Sequence, residues 1–137
     1  MQVKIKKLHP NATIPTYATD GSACLDVTVA EYLGDNTYST GLAFEIPENH
    51  VLLVFGRSGL AFKHGARLAN AVAVVDCDYR GVVRIKLAYD EPQTHVIEVG
   101  DRIGQMLILP YPKVEFMEVA SLSATDRGNG GFGSTGK

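Results

Sequence analysis

Along most of this chain, apolar and polar residues alternate in short runs instead of recurring every three or four positions, the pattern of half-buried strands. Such runs cover residues 2–6, 24–30, 37–46, 51–55, 67–75, 81–88, 94–98, 103–109 and 113–118. Val, Ile and Thr are frequent in them, side chains that suit a pleated surface. Between them stand "PENH", "DCDYRG", "YDEPQ", "VGDR" and "LPYP", each rich in residues that turns select. Only "SGLAFKHG" reads as a helix, a short one near 58–64 that Gly65 stops. Short strands at regular spacing with turn signals between them predict an all-β, single-domain sandwich or jelly-roll-like barrel.

The alternation fades near residue 120. Five of the 14 glycines lie between Gly128 and Gly136, and Phe132 is the only large apolar residue after Leu122. A stretch so poor in apolar surface cannot order itself by burial. The expected division is a β-domain over residues 1–120 and a flexible Gly-rich C-terminal arm over 121–137. Within the arm "GFGSTGK" matches the first seven positions of the phosphate-binding pattern G-x-x-x-x-G-K-[ST]. An Arg, a lone aromatic and a Ser-Thr pair set among glycines suggest a segment that orders on a ligand.

At 137 residues the chain has the size of one domain. Its net charge of −2 leaves no electrostatic footprint for nucleic acid. No apolar run approaches the ~20 residues that span a bilayer, and "MQVKIKKLHP" has no apolar h-region. The expectation is a soluble intracellular, cytoplasmic protein with no nucleic-acid or membrane partner. Cys24 and Cys77 have neither C-x-x-C spacing nor His neighbours, so neither a zinc site nor a disulfide framework is suggested.

Three internal stretches carry polar residues that a β-domain does not need. "YATDGSACLDV" sets Asp26 inside an apolar strand, either as a solvent-facing residue or as a metal-linked carboxylate. "GRSGLAF" places Arg57 and Ser58 between Gly56 and Gly59. There amides, a hydroxyl and a guanidinium converge on an anion, or simply cap a helix. "NAVAVVDCDYRGVVRIKL" joins two apolar runs through "DCDYRG". As a hairpin it presents Asp76 and Asp78 close together with Tyr79 at the bend. The two acids are turn-formers, or one is a general base toward water.

These pieces combine into five motifs in order, "ACLDV", "GRSGL", "VVDCDYRG", "GDRIGQ" and "RGNGGFGSTG", within residues 22–136. In this the sequence resembles the homotrimeric dUTPase (deoxyuridine 5′-triphosphate nucleotidohydrolase) family. The resemblance implies hydrolysis of dUTP to dUMP and pyrophosphate by in-line attack of water at the α-phosphate. That reaction keeps uracil out of DNA and supplies dUMP for thymidylate synthesis. By similarity, Mg²⁺ is held chiefly by the three phosphates and reached by Asp26 through water. Asp76 matches the base, and Arg127 the group that neutralises charge at the α-phosphate.

Arg57, Ser58, Gly59 and Gln105 match phosphate contacts, while Asn70, Val74, Val75 and Arg84 match the uracil pocket. Tyr79 matches the residue under the deoxyribose, Phe132 a lid over uracil, and Ser134 and Thr135 hydroxyls at the γ-phosphate. The family also implies a homotrimer with composite active sites at subunit interfaces. Asp101 and Arg102 read as turn and strand-entry residues. The sequence departs from the family at Gly56, where Pro is usual, and at Cys24 and Ala73, where Gly is common. Two alternatives stand beside this reading. A dCTP deaminase-like enzyme of the same fold needs a Glu in the base pocket, and residues 70–90 hold none. A partner-binding regulatory protein on this fold would have no need of Asp26, Asp76, Tyr79, Arg127 and Phe132 together.

Overall fold

The structure, a computed structural model, describes residues 1–92 and 95–134. Its strands in chain order are β1 (Lys4–Lys7), β2 (Thr16–Tyr17), β3 (Leu25–Thr28), β4 (Glu31–Gly34), β5 (Thr37–Ser39), β6 (Leu42–Glu45) and β7 (His50–Phe55). After helix α1 (Ser58–His64) follow β8 (Ala66–Leu68), β9 (Val72–Val75), β10 (Arg84–Tyr89) and β11 (Arg102–Pro110). They form antiparallel sheets in the orders β2-β3-β11-β7-β9, β4-β5-β10-β8 and β1-β6. The all-β sandwich with one short helix is thus the architecture found. Among the described residues no helix is long and apolar enough to cross a membrane.

Alternation explains how the sheets meet. In β10, Ile85 and Leu87 are buried while Arg84 and Lys86 face out, and in β7 Leu52 and Val54 are wholly buried. These residues share one core with Val27, Leu68, Ile103 and Met106. Burying a Leu or Val in this way contributes about 1.5–3 kcal/mol each, an upper figure because the unfolded chain also buries some surface. Helix α1 adds only Leu60 to the core, and it ends where Gly65 takes the left-handed φ of 59° and donates its N–H to Ala61 O. That conformation costs glycine nothing and other residues about 1 kcal/mol.

Several expected strands differ, each for a local reason. The run 37–46 breaks at Thr40–Gly41, where the chain leaves one sheet for another; the Thr40 hydroxyl donates to Val83 O at 2.8 Å. The run 67–75 is divided at Ala71, whose φ is 60°. Residues 95–98 form no strand, and the rest of that expected strand includes Thr94, outside the described residues. Residues 113–118 lie exposed and join no ladder among the described residues. Strands β2 and β4 lie outside the expected runs. Strand β4 is mostly exposed, so it has no apolar face to find, yet it turns into β5 through Asp35 and Asn36, both at positive φ. Asx residues tolerate that conformation in two-residue hairpins.

Candidate active site

Strand register gathers three of the five motifs at one end of the five-stranded sheet. Gln105 on β11 lies between Asp26 on β3 and Phe55 at the end of β7, and the chain continues from Phe55 through Gly56 and Arg57 into α1. Asp26 is partly buried and gripped from two sides. Arg57 Nε stands 3.2 Å from its Oδ1 and Arg102 Nη1 3.1 Å from its Oδ2. Arg57 Nη1 also donates to Arg102 O at 3.3 Å, and Gln105 Nε2 to Gly56 O at 2.9 Å. Cys24, Asp26, Arg57, Ser58, Arg102 and Gln105 line a cavity of about 320 Å³ here. Gly59 follows at the first turn of α1, with open space where a side chain would stand. Two guanidinia, an amide and a hydroxyl around a hollow of this size suit a multiply charged anion. Arg102, read from sequence as a strand-entry residue, is part of this cluster; its pairing with Asp26 spans 76 positions and left no local signal.

A second cavity of about 420 Å³ is lined by Asn70, Val74, Val75, Asp76, Tyr79 and Arg84, among others. The expected hairpin of the third motif is corrected here. Strand β9 pairs with β7, whereas β10 pairs with β5 and β8, so the two arms belong to different sheets and splay apart. The splay is what opens the cavity, leaving Val74 exposed within it while Val75 turns into the core. The bend between the arms is closed by its own bonds. Tyr79 N–H donates to Asp76 O at 3.1 Å, Tyr79 Oη to Val82 O at 3.2 Å, and Arg80 Nη1 to Cys77 O at 2.7 Å. Asp76 is exposed at the cavity, and Asp78, its expected companion, is not among the lining residues.

The two cavities share no lining residue. Phe55 pairs with Val72 and Leu52 with Val75, which sets Asp76 level with Val51. Four strand residues, roughly 13 Å at the usual rise, therefore separate Asp76 from the end of β7 that leads to Arg57.

The arm forms a third group. Arg127 Nε donates to Gly130 O at 2.8 Å and Gly130 N–H returns a bond to Arg127 O at 2.9 Å. Ser134 N–H donates to Gly131 O at 3.0 Å, and Phe132 is fully exposed. Among the described residues these bonds stay within the arm. Thr135 lies outside the described residues. No group of three or more His, Cys, Asp or Glu gathers as a metal cage among the described residues.

A family model described as dUTPase matches residues 10–136. The deoxyuridine 5′-triphosphate nucleotidohydrolase of Wolinella succinogenes is 43% identical over 142 aligned positions, covering 100% of this chain and 95% of that one. The enzyme of the same name from Helicobacter pylori is 41% identical, covering 99% and 97%. Among solved structures, the dUTPase of Staphylococcus bacteriophage 80alpha with dUPNHPP superposes with a TM-score of 0.85 at 26% identity, covering 99% of both chains.

Proposed function

This chain belongs to the dUTPase family, and on that premise we propose how its residues share the work of dUTP hydrolysis. The reaction is that of a dUTP diphosphatase: water replaces pyrophosphate at the α-phosphorus and leaves dUMP. Phosphoryl transfer needs alignment and charge stabilisation more than covalent help. Asp76 orients the water and takes its proton. Asn70, Val74, Val75 and Arg84 hold uracil in the cavity beside it, and Tyr79 lies against the deoxyribose. Arg57, Ser58, Gly59 and Gln105 clamp the phosphates. Phe132 closes over the base, Arg127 neutralises charge at the α-phosphate, and Ser134 and Thr135 reach the γ-phosphate.

The observation that carries this reading is the separation of Asp76 from the Asp26–Arg57–Gln105 cluster along β7. A base must stand beside the phosphorus that the clamps hold, so one copy cannot supply both. A ring of copies joined head to tail supplies each site with the base from one chain and the clamps from its neighbour. We take the ring to be a homotrimer, one copy for each of the three groups. Supporting this, Val114, Phe116, Met117, Val119 and Leu122 are exposed along a stretch that joins no ladder among the described residues, which is apolar surface that a partner copy would cover.

The donor set suits Mg²⁺ carried by the nucleotide. A single carboxylate at the phosphate cavity fits an ion that keeps its waters and relies on substrate oxygens. Asp26 would hold it through water, and when bound the ion screens the triphosphate's charge. Arg57 would then exchange Asp26 for phosphate, while Arg102 keeps its hold on the carboxylate. Incubation with dUTP, dCTP and UTP in parallel tests the reading. Release of dUMP and pyrophosphate from dUTP alone is expected, and ammonia from dCTP would overturn it.

A further inference from the structure

We propose that Gly81 sets the choice between deoxyribose and ribose, acting through the ring of Tyr79; the proposal rests on the reading of Tyr79 as the sugar contact. Gly81 lacks the left-handed φ that Gly34, Gly41, Gly65 and Gly100 adopt, so backbone freedom is not why a glycine stands there. Space is the reason. A Cβ at this position would collide with Tyr79 Oη, and would stand 2.5 Å from Cζ and 3.0 Å from Cε2. The phenol therefore lies on the bare Cα of Gly81, and its hydroxyl reaches past to Val82 O at 3.2 Å.

The same bend that seats the ring also ends at the base. Tyr79 N–H holds Asp76 O at 3.1 Å, and Arg80 Nη1 bridges Cys77 O at 2.7 Å and Tyr79 O at 3.1 Å. These are bonds to backbone atoms, independent of where the ring lies. A methyl at Gly81 forces the ring tip to move roughly 1 Å to recover an ordinary carbon contact of about 3.5 Å. That movement breaks the bond to Val82 O and lifts the ring from the wall of the cavity that Val82 and Tyr79 share. Asp76, carried by β9 and the backbone bonds, stays in place. The expected phenotype is a loss of sugar selectivity larger than the loss of turnover.

The experiment compares kcat/KM for dUTP and UTP in the full chain, Gly81→Ala and Tyr79→Ala, with thermal melts alongside. Gly81→Ala is expected to lower the dUTP-over-UTP ratio by roughly tenfold, the scale of one misplaced contact in a specificity pocket, with kcat for dUTP falling less than the ratio. If Tyr79→Ala relaxes the ratio and Gly81→Ala leaves it unchanged, the proposal fails while the reading of Tyr79 stands. If neither changes it, the reading of Tyr79 fails first. Should Gly81→Ala lose its cooperative melt, the double variant Gly81→Ala/Tyr79→Ala removes the ring that the methyl meets and is expected to fold. A double variant that still fails to fold would overturn the proposal, because the ring would not be the reason for the glycine.

Discussion

Asp26 stands inside an apolar strand and Asp76 just past the end of one, and their surroundings differ. Asp76 is exposed at a cavity, free to meet water; Asp26 has both oxygens engaged by guanidinia. Asp76→Asn keeps the shape and removes the proton acceptor, so turnover should fall by about 10²–10⁴-fold while dUTP binding, read by calorimetry, changes little. Normal turnover in that variant would remove Asp76 from the role. Tyr89 offers a separate test. Burial pushes its phenol up to about 12, with the neighbouring phenols of Tyr38 and Tyr32 adding to the effect. A phenol raised above its unfolded value of about 10 contributes stability below pH 10 that is lost as the pH rises toward 12. Spectrophotometric titration should show one tyrosine ionising late, and Tyr89→Phe should abolish that phase. Asp26, Asp76 and Arg57 stood out in the sequence because charged types are depleted in apolar strand context, and Tyr79 because it falls among turn residues between two apolar runs. Arg102 and Gly81 were not, since a contact across 76 positions and a packing void leave no local pattern.

At the level of elements, the sequence shows where strands lie better than what they pair with. Alternation located β7, β10 and β11 closely because each sends a face into the core. It also marked 113–118, where no strand forms: alternation shows a sequence able to pair, but a ladder needs a partner, and among the described residues none pairs with that stretch. The third motif shows the same limit: two apolar runs joined by a bend look like a hairpin whether they pair or, as here, part between sheets. The arm is the element whose proposed role rests most on lacking a core. Its described hydrogen bonds are internal and Phe132 has no cover. Deletion of residues 124–137 should therefore leave the melting transition nearly unchanged and reduce kcat by orders of magnitude, as expected when a closing segment excludes water and completes the charge at a phosphate. An unfolded truncation would make the arm structural; a fully active one would make it idle.

For the whole molecule, composition and strand count sufficed for a β-sandwich, because two amphipathic faces have few other ways to hide. Assembly was not legible from composition, and it is the separation along β7 between Asp76 and the Asp26–Arg57–Gln105 cluster that argues for it. Co-expression of Asp76→Asn chains with Arg57→Ala chains gives the test. Each variant alone should be nearly inactive. Random mixed rings should regain roughly a quarter of the sites, since an intact base and an intact clamp then meet at some interfaces. Sedimentation should give a mass of three chains, and a mixture no more active than its parts would return the site to a single chain. The same placement has a consequence for inheritance. A cell carrying one normal and one Asp76-defective allele would lose activity only in proportion to the defective share, because each faulty chain spoils one site and leaves its neighbours' sites intact. Two different faulty alleles, one lacking the base and one lacking the clamp and each nearly inactive alone, would restore activity together.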